Sequence, residues 1–161
     1  MTRLSGVLRT SSGSMVAVLL AATVGAGGCS RIVVLHDPLT AAEHNDLGVV
    51  YEGQGQATLA AREYRKALKI DAHYGRARLN LGNVEAAAGR WEHAEREYRR
   101  ALIDLPGDPD PPNNLAVALL RLGRDLGEAE SLAVRAVALA PGRDSLYRAT
   151  LAEVRSGRGQ R

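Results

Sequence analysis

Two stretches of this 161-residue chain repeat one pattern at a spacing of 34 residues. Residues 45–72 read NDLGVVYEGQGQATLAAREYRKALKIDA, and residues 79–106 read LNLGNVEAAAGRWEHAEREYRRALIDLP. Three repeat positions keep this period into a third stretch. One is leucine (Leu47, Leu81 and Leu115), one is polar (Asp46, Asn80 and Asn114), and one is glycine (Gly55, Gly89 and Gly123). A fixed period of this length predicts a row of equivalent structural units.

A second set of positions keeps the spacing once and then gains one residue. These positions are Ala60, Ala94 and Ala129; Tyr64, Tyr98 and Ala133; Ala67, Ala101 and Ala136; and Ala72, Pro106 and Pro141. The third unit therefore contains one inserted residue between Gly123 and Ala129. We expect it in a turn between two helices, because an added residue is tolerated there.

Within each unit the apolar and small residues follow the spacing of two short helices. The first unit has one such run at Leu47, Val50 and Tyr51 and another at Ala60, Tyr64, Ala67 and Leu68, with a glycine turn between them. A single helical hairpin cannot bury both of its apolar faces, so the units must stack, and about three are needed for stability. The pattern predicts an all-α fold.

The residues at these positions resemble the signature of the tetratricopeptide repeat. The packing positions that carry the resemblance are Leu47, Gly48, Tyr51, Ala60, Tyr64 and Ala67 in the first repeat, Leu81, Gly82, Ala94, Tyr98, Ala101 and Pro106 in the second, and Leu115, Ala129, Ala136 and Pro141 in the third. The resemblance implies a right-handed α-solenoid of three helix-turn-helix hairpins. The repeats would span residues 41–74, 75–108 and 109–143, followed by a capping helix over 144–156 and a basic tail over 157–161.

Small residues at 48, 82 and 116 let the paired helices approach closely, since larger side chains would overpack the crossing. The third repeat departs from the pattern because Ala116 replaces glycine. The aromatic residue expected early in each first helix is also replaced, by His44, Arg78 and Pro112. We expect these replacements to loosen the packing. Pro111 and Pro112 fit only the first turn of a helix, so we expect a short fifth helix capped by Asp110.

In the tetratricopeptide family the first helix of each repeat lines a concave surface, which makes that surface the candidate binding groove. Its exposed positions are predicted to be Asp46, Val49, Asn80, Asn83, Asn114 and Val117. Side-chain amides at a regular spacing can hydrogen-bond the backbone of an extended peptide with little demand on its sequence. The alternative is that these asparagines bond only to their own neighbours, and the sequence leaves both interpretations open.

Some members of the family hold a partner's C-terminal carboxylate with lysines and arginines across this groove. Here only Arg76 and Arg121 fit such a role, while Asp46 and Asp110 add negative charge. We therefore expect no carboxylate clamp of that kind.

The N-terminal segment 1–28 has the layout of a secretory signal peptide. Arg3 and Arg9 precede an apolar run over residues 15–24, which is too short to span a bilayer as a helix. Small residues then lead to Cys29, the single cysteine. The segment resembles a bacterial lipoprotein signal, in which this cysteine is lipidated and becomes the new N-terminus. The family prefers leucine where this chain has Ala26, and the alternative is ordinary cleavage nearby.

Lipidation would anchor the chain in the bacterial cell envelope. Ser30 stands where some lipoproteins carry an inner-membrane retention aspartate, which favours the outer membrane facing the periplasm. Residues 29–38 would form the whole tether, so the repeats would lie close to the membrane. Within the tether, the apolar residues 32–35 either pack on the first helix pair or contact a partner or lipid.

The charge and motif content argue against nucleic-acid binding and catalysis. Without the segment 1–28 the chain has 19 basic and 18 acidic residues, a net charge of +1. This balance does not indicate a nucleic-acid-binding surface. The sequence contains no His-Glu-x-x-His, no Gly-x-Ser-x-Gly and no phosphate-binding glycine loop. We predict no enzyme, metal or cofactor. The histidines, which are His36, His44, His73 and His93, share no ligand spacing and are expected to be solvated or in turns.

A non-catalytic module that binds a protein or an extended peptide is therefore predicted, with three possible roles. The favoured role is an envelope lipoprotein adaptor or scaffold for pilus, secretion or outer-membrane machinery. The second is an accessory subunit of an enzyme, because residues 36–48 resemble the start of repeat modules that accompany bacteriocin-processing cysteine peptidases. The third is self-association through the ends of the solenoid, where the first repeat has no N-terminal cap.

Overall fold

The computed structural model describes residues 37–141 and 144–159. These residues form seven helices and no strand, and the helices are α1 Ala41–Gly53, α2 Ala57–Ile70, α3 Gly75–Ala87, α4 Trp91–Asp104, α5 Asp110–Leu122, α6 Leu126–Leu139 and α7 Asp144–Gly159. The predicted all-α solenoid of three hairpins and a final helix is confirmed. None of the described helices is long and apolar enough to cross a membrane.

The predicted N-terminal features lie outside the described residues. They are the signal segment 1–28, the lipidation site Cys29, the tether up to residue 36 and His36.

The helices from Leu39 onward form one compact unit in which each helix packs against the next along the chain. The first helices of neighbouring hairpins also meet, α1 with α3, α3 with α5 and α5 with α7. Within the described residues the backbones of the second helices, α2, α4 and α6, stay apart from one another. The first helices therefore line the inner, concave side, and the second helices form the outer side.

The repeated glycine of each hairpin turn has a backbone conformation that favours glycine. Gly55, Gly89 and Gly123 have φ angles of 73°, 73° and 65°, in the left-handed region where a Cβ atom introduces strain. In the third repeat two residues, Arg124 and Asp125, separate this glycine from the second helix. The other two repeats have one residue there, so the third hairpin carries its extra residue in the turn.

Helix α5 begins differently from the prediction. Asp110 is its first residue rather than its cap, and the preceding Pro109 makes no side-chain capping hydrogen bond. The helix has 13 residues, as do α1 and α3. The prediction of a short fifth helix capped by Asp110 is therefore wrong. Pro111 and Pro112 do lie in the first turn, where a missing N–H costs no intrahelical bond.

The core consists of the repeat-defining side chains. Those that are buried are Gly48, Ala60, Tyr64, Ala67, Leu81, Gly82, Ala94, Tyr98, Ala101, Leu115, Ala129 and Ala136. Leu47 and Tyr51 are half-buried. A Cβ atom on Gly82 would lie 2.5 Å from Cε1 of Tyr98, and one on Gly48 would overlap the Tyr64 ring in the same way. The close approach of the paired helices therefore requires glycine where the facing residue is tyrosine.

Helix α7 covers the open end of the third hairpin. Tyr147 and Val154 are buried beneath it, and the Tyr147 hydroxyl donates to Oδ1 of Asp110 at 2.7 Å. The helix runs to Gly159, three residues beyond the predicted end at 156. A Cβ atom on Gly157 would lie 2.7 Å from Cδ1 of Leu120. Gly157 therefore marks a close approach of α7 to α5 rather than the end of the helix.

Candidate functional site

The candidate groove is the concave side formed by α1, α3 and α5. Of the six residues predicted to line it, Asp46 and Val49 are exposed, and Asn80, Asn83, Asn114 and Val117 are half-buried. All six are thus reached by solvent to some degree. The side-chain amides of Asn80, Asn83 and Asn114, however, belong to two hydrogen-bonded networks that join neighbouring repeats.

The first network connects α3 to α1. Nδ2 of Asn80 donates to Oδ1 of Asn45 at 3.0 Å, and Nδ2 of Asn45 donates to Oδ1 of Asp46 at 3.3 Å. Asn45 is 5% exposed, so its amide needs these partners, because a buried polar group without one costs about 1–3 kcal/mol.

The second network connects α3, α4 and α5. Oδ1 of Asn83 accepts from the Tyr98 hydroxyl at 3.0 Å and from Nδ2 of Asn114 at 2.9 Å. Oδ1 of Asn114 accepts in turn from Nδ2 of the buried Asn113 at 3.1 Å. The groove asparagines therefore hold successive repeats together as well as facing the groove.

Two asparagines of α3 each have one amide atom without a hydrogen bond in the described part of the chain. Oδ1 of Asn80 and Nδ2 of Asn83 form no hydrogen bond within the described residues, and neither atom is sealed from solvent. They lie about one helical turn apart. Helix α3 thus offers one acceptor and one donor toward the groove.

The tyrosine hydroxyls reach the same surface from the second helices. Tyr64 donates to Oε2 of Glu52 at 2.7 Å. Burial raises the pKa of Tyr64 well above its ordinary value, and the carboxylate of Glu52 raises it further. The pKa of Tyr98 is also raised, by burial first and then by the charge of Glu52. The charge of Glu52 therefore acts on tyrosines of both the first and second repeats.

Sequence reasoning missed three residues of this surface, Asn45, Glu52 and Asn113. Asn45 and Asn113 occupy the same repeat position, each directly before a predicted groove residue. That shared register was the available signal. Glu52 has no counterpart of its kind in the other repeats, so periodicity could not single it out.

The two arginines suited to a carboxylate clamp both have acidic partners. Nη2 of Arg76 donates to Oδ2 of Asp108 at 2.9 Å, and Nη2 of Arg121 lies 3.5 Å from Oε1 of Glu153. Neither guanidinium is therefore available as a lone positive charge for a partner's C-terminus.

His44 contradicts the expectation that the histidines are solvated or in turns. It is 1% exposed, and its Nδ1 lies 2.9 Å from Oε2 of the buried Glu63 on α2. Burial raises the pKa of Glu63, but the hydrogen bonds from His44, Lys66 and Arg62 together outweigh it and hold the pKa below its ordinary value. His73, in a turn, and His93, on α4, are exposed as predicted.

Arg78 occupies the same position in the second repeat. Its guanidinium lies 3.5 Å from Glu97, the counterpart of Glu63, and donates to Oδ2 of Asp104 at 2.9 Å. In the third repeat Pro112 is buried at this position. The expectation of looser packing at the replaced aromatic positions is therefore wrong, because polar pairs or a buried proline fill them.

In residues 37–141 and 144–159, no three His, Cys, Asp or Glu side chains converge in a way that could hold a metal ion.

Comparison with known proteins finds a family match over the middle of the helical unit. Residues 52–111 match the family model described as tetratricopeptide repeat. Among curated proteins, none matches this chain.

Similar solved structures cover most of the helical unit. The second TPR domain of human RPAP3, in complex with an HSP70 peptide, has a TM-score of 0.65 at 19% identity over 71% of this chain and 94% of its own. The type III secretion translocator chaperone SycD of Yersinia enterocolitica has a TM-score of 0.67 at 21% identity over 73% and 85%. PcrH of Pseudomonas aeruginosa has a TM-score of 0.64 at 26% identity over 71% and 90%. Residues 52–111 therefore match the tetratricopeptide-repeat model, and the helical unit has the fold of proteins built from such repeats.

Proposed function

We propose that the chain is a non-catalytic interaction module that holds an extended segment of a partner protein in the concave groove. The observation that carries this proposal is the pair of open amide groups on α3, the carbonyl oxygen of Asn80 and the amide nitrogen of Asn83. An acceptor and a donor one turn apart match the N–H and C=O groups of an extended backbone. The peptide held by the structurally similar RPAP3 domain supports this use of the fold.

Aliphatic side chains flank the open amides and would supply apolar contact. Val49 on α1 is 49% exposed, and Val117 on α5 is half-buried. Each Å² of apolar surface removed from water contributes about 25 cal/mol, whereas a neutral hydrogen bond exchanged with water contributes only about 1 kcal/mol. The valines would therefore add affinity, and the amides would fix the register of the bound segment.

We further propose that the module works as an envelope lipoprotein adaptor for a membrane-associated assembly at the outer membrane, facing the periplasm. The signal-like segment 1–28 and Cys29 support this role. Lipidation with more than one acyl chain gives a durable anchor, because each buried methylene contributes about 0.8 kcal/mol. The type III secretion chaperones among the similar structures favour secretion machinery as the assembly.

A photo-crosslinking residue at Val49, with Val134 as the matched control, tests the groove. The two valines are 49% and 46% exposed, but Val49 lies on the concave α1 and Val134 on the outer α6. In cells we expect one discrete adduct from Val49 and none of that size from Val134. The double variant Asn80→Ala/Asn83→Ala, which removes both open amide groups, should weaken the adduct while the helical circular-dichroism signal persists. Equal adducts from both valines, or capture unchanged in the double variant, would contradict the proposal.

The identity of the adduct separates the three roles. A pilus, secretion or outer-membrane component supports the adaptor, a cysteine peptidase supports the accessory subunit, and a second copy of the chain supports self-association. The anchor is tested separately by labelling with a radioactive fatty acid. We expect label in the wild type and none in Cys29→Ala, and label in neither would remove the anchor from the proposal.

A further inference from the structure

We infer that the groove selects a partner segment that carries a lysine or arginine side chain, seated over α1. This inference rests on the proposed function and specifies the chemistry of the partner. It follows from the arrangement of three α1 residues and from the pairing of the other charges around the groove.

Asp46, Val49 and Glu52 are spaced three residues apart, so they lie on one side of α1. All three are exposed. The backbone positions of Asp46 and Glu52 are about 9 Å apart along the helix axis, with the valine between them. A lysine or arginine side chain has an apolar stem and a charged head. Its stem can cover Val49 while its head reaches either carboxylate.

Neither carboxylate has a cationic partner within the described residues. In that part of the chain the carboxylate of Asp46 accepts from the amide of Asn45, and the carboxylate of Glu52 accepts from the hydroxyl of Tyr64. Nine other acids of the same helical unit do have cationic partners, and these acids are Glu63, Glu85, Glu95, Glu97, Asp104, Asp108, Glu128, Glu130 and Glu153. Glu43, Asp71, Glu92, Asp110 and Asp125 also have no cationic partner in the described part of the chain, whereas Asp46 and Glu52 differ from them in flanking the exposed Val49 on the groove side of α1.

The cations of the groove do not offset this charge. Arg76 and Arg121 are already paired with Asp108 and Glu153. The hydroxyl of Tyr64 also fixes the orientation of the Glu52 carboxylate, which reduces the ordering that a bound cation would require. The α1 end of the groove is therefore negative, and complementary charge selects basic segments and disfavours acidic C-termini.

Selection of a randomised peptide display library on the immobilised full chain tests the inference. We expect the enriched peptides to share a lysine or arginine at one fixed position. The best peptide is then synthesised with a fluorescent label and titrated against three forms of the full chain, and its affinity should fall as salt is raised. For the variant Asp46→Asn/Glu52→Gln we expect binding about three- to tenfold weaker, as for the loss of two exposed ion pairs.

In the double variant each new amide keeps one carbonyl oxygen, so the hydrogen bonds from Asn45 and Tyr64 can persist. The matched control is Glu92→Gln/Asp125→Asn, which removes the same charge from exposed positions on α4 and in the last hairpin turn. We expect wild-type affinity for this control.

Each other result has a definite meaning. Enriched peptides without a fixed basic position would overturn the inference and leave the groove proposal standing. Equal weakening in both double variants would also overturn it, because net charge alone would then explain the effect. A library that yields no peptide would overturn both proposals, and so would dimerisation of the chain alone that Asp46→Asn/Glu52→Gln abolishes.

Discussion

The first two repeats and the third form the same hairpin with different side chains. The first two place tyrosine against glycine and a basic side chain against glutamate. The first repeat has Tyr64 with Gly48 and His44 with Glu63, and the second has Tyr98 with Gly82 and Arg78 with Glu97. In the third, the corresponding positions are Ala133 and Ala116, and Pro112 and Leu132, all buried. The hairpin therefore requires complementary partners at these two places rather than particular residues.

The largest effect is expected from breaking the polar pair of the first repeat. Glu63→Leu introduces the residue of the third repeat but leaves His44 buried without its carboxylate. We expect a loss of about 3 kcal/mol in the free energy of unfolding, measured by denaturant titration. The double variant His44→Phe/Glu63→Leu should recover most of it, because an apolar pair can replace a buried polar one at little cost.

Glu97→Leu is the matched control in the second repeat. Its partner Arg78 keeps a hydrogen bond to Asp104 at 2.9 Å, so the loss should be smaller than for Glu63→Leu. If Glu63→Leu and Glu97→Leu lowered the free energy of unfolding equally, the deeper burial of the first pair would not explain its contribution.

The next effect concerns the glycine that faces tyrosine. Gly82→Ala should cost about 2 kcal/mol, because the new Cβ would lie 2.5 Å from the buried Tyr98 ring. Gly53→Ala is the matched control, since its Cβ would meet nothing within 4 Å, and we expect a gain of about 0.5 kcal/mol from the lower helix propensity of glycine. In a Tyr98→Ala background Gly82→Ala should cost less than in the wild type, and an equal cost would refute the coupling.

A smaller effect is expected from mild acid. Burial raises the pKa values of Glu63 and Glu95, but their hydrogen bonds and ion pairs lower them more, so both lie below 4.5. Groups with a lowered folded pKa stabilise the fold above their ordinary pKa and lose that contribution as the pH falls through the folded value. The free energy of unfolding should therefore decline below about pH 4.5.

The third repeat has Leu132 in place of Glu63, and the lowered pKa of its exposed Glu128 comes first from a hydrogen bond with Arg99 of α4, so the loss falls mainly on α2 and α4. Hydrogen exchange should show that amides of α2 and α4 lose protection in acid before those of α5. Glu63→Gln should flatten the pH dependence in the first repeat. A uniform loss of protection along the chain would contradict this assignment.

The smallest effect is expected in the turn of the third repeat. Asp125 has a φ of 50°, the one positive φ of a non-glycine residue in the described part of the chain. Asp125→Gly should raise the free energy of unfolding by about 0.5 kcal/mol because glycine adopts this conformation without strain. Asp125→Ala should lower it, since alanine tolerates the left-handed region less well than aspartate. A loss with glycine would mean that the aspartate side chain stabilises the turn.

Much of the fold could be predicted because it depends on residues repeated along the chain. The spacing of Leu47, Leu81 and Leu115 indicated the hairpin array, and the recurring glycines marked turns whose positive φ explains them. The predicted end of α7 at residue 156 is three residues too early, because Gly157 continues the helix. Its actual role depends on contact with Leu120, which no local pattern reveals.

The groove could be predicted only in outline. The six predicted positions do lie on the first helices, but which of their amide groups stay open depends on partners such as Asn45 and Tyr98. A signal for the buried polar pair was present, because His44 and Arg78 keep the same 34-residue spacing as Glu63 and Glu97. It becomes meaningful once the two helices of a hairpin are known to bring these positions together.

The sequence by itself determined the helical hairpin, its period and its glycine turns, because helix periodicity and backbone strain act over a few neighbouring residues. The tertiary structure decided which charges are neutralised and which remain open. His44 and Glu63 are 19 residues apart, and Arg76 and Asp108 are 32 apart. Such pairs form only when helices stack, and in the described part of the chain that stacking leaves the carboxylates of Asp46 and Glu52 without a cationic partner.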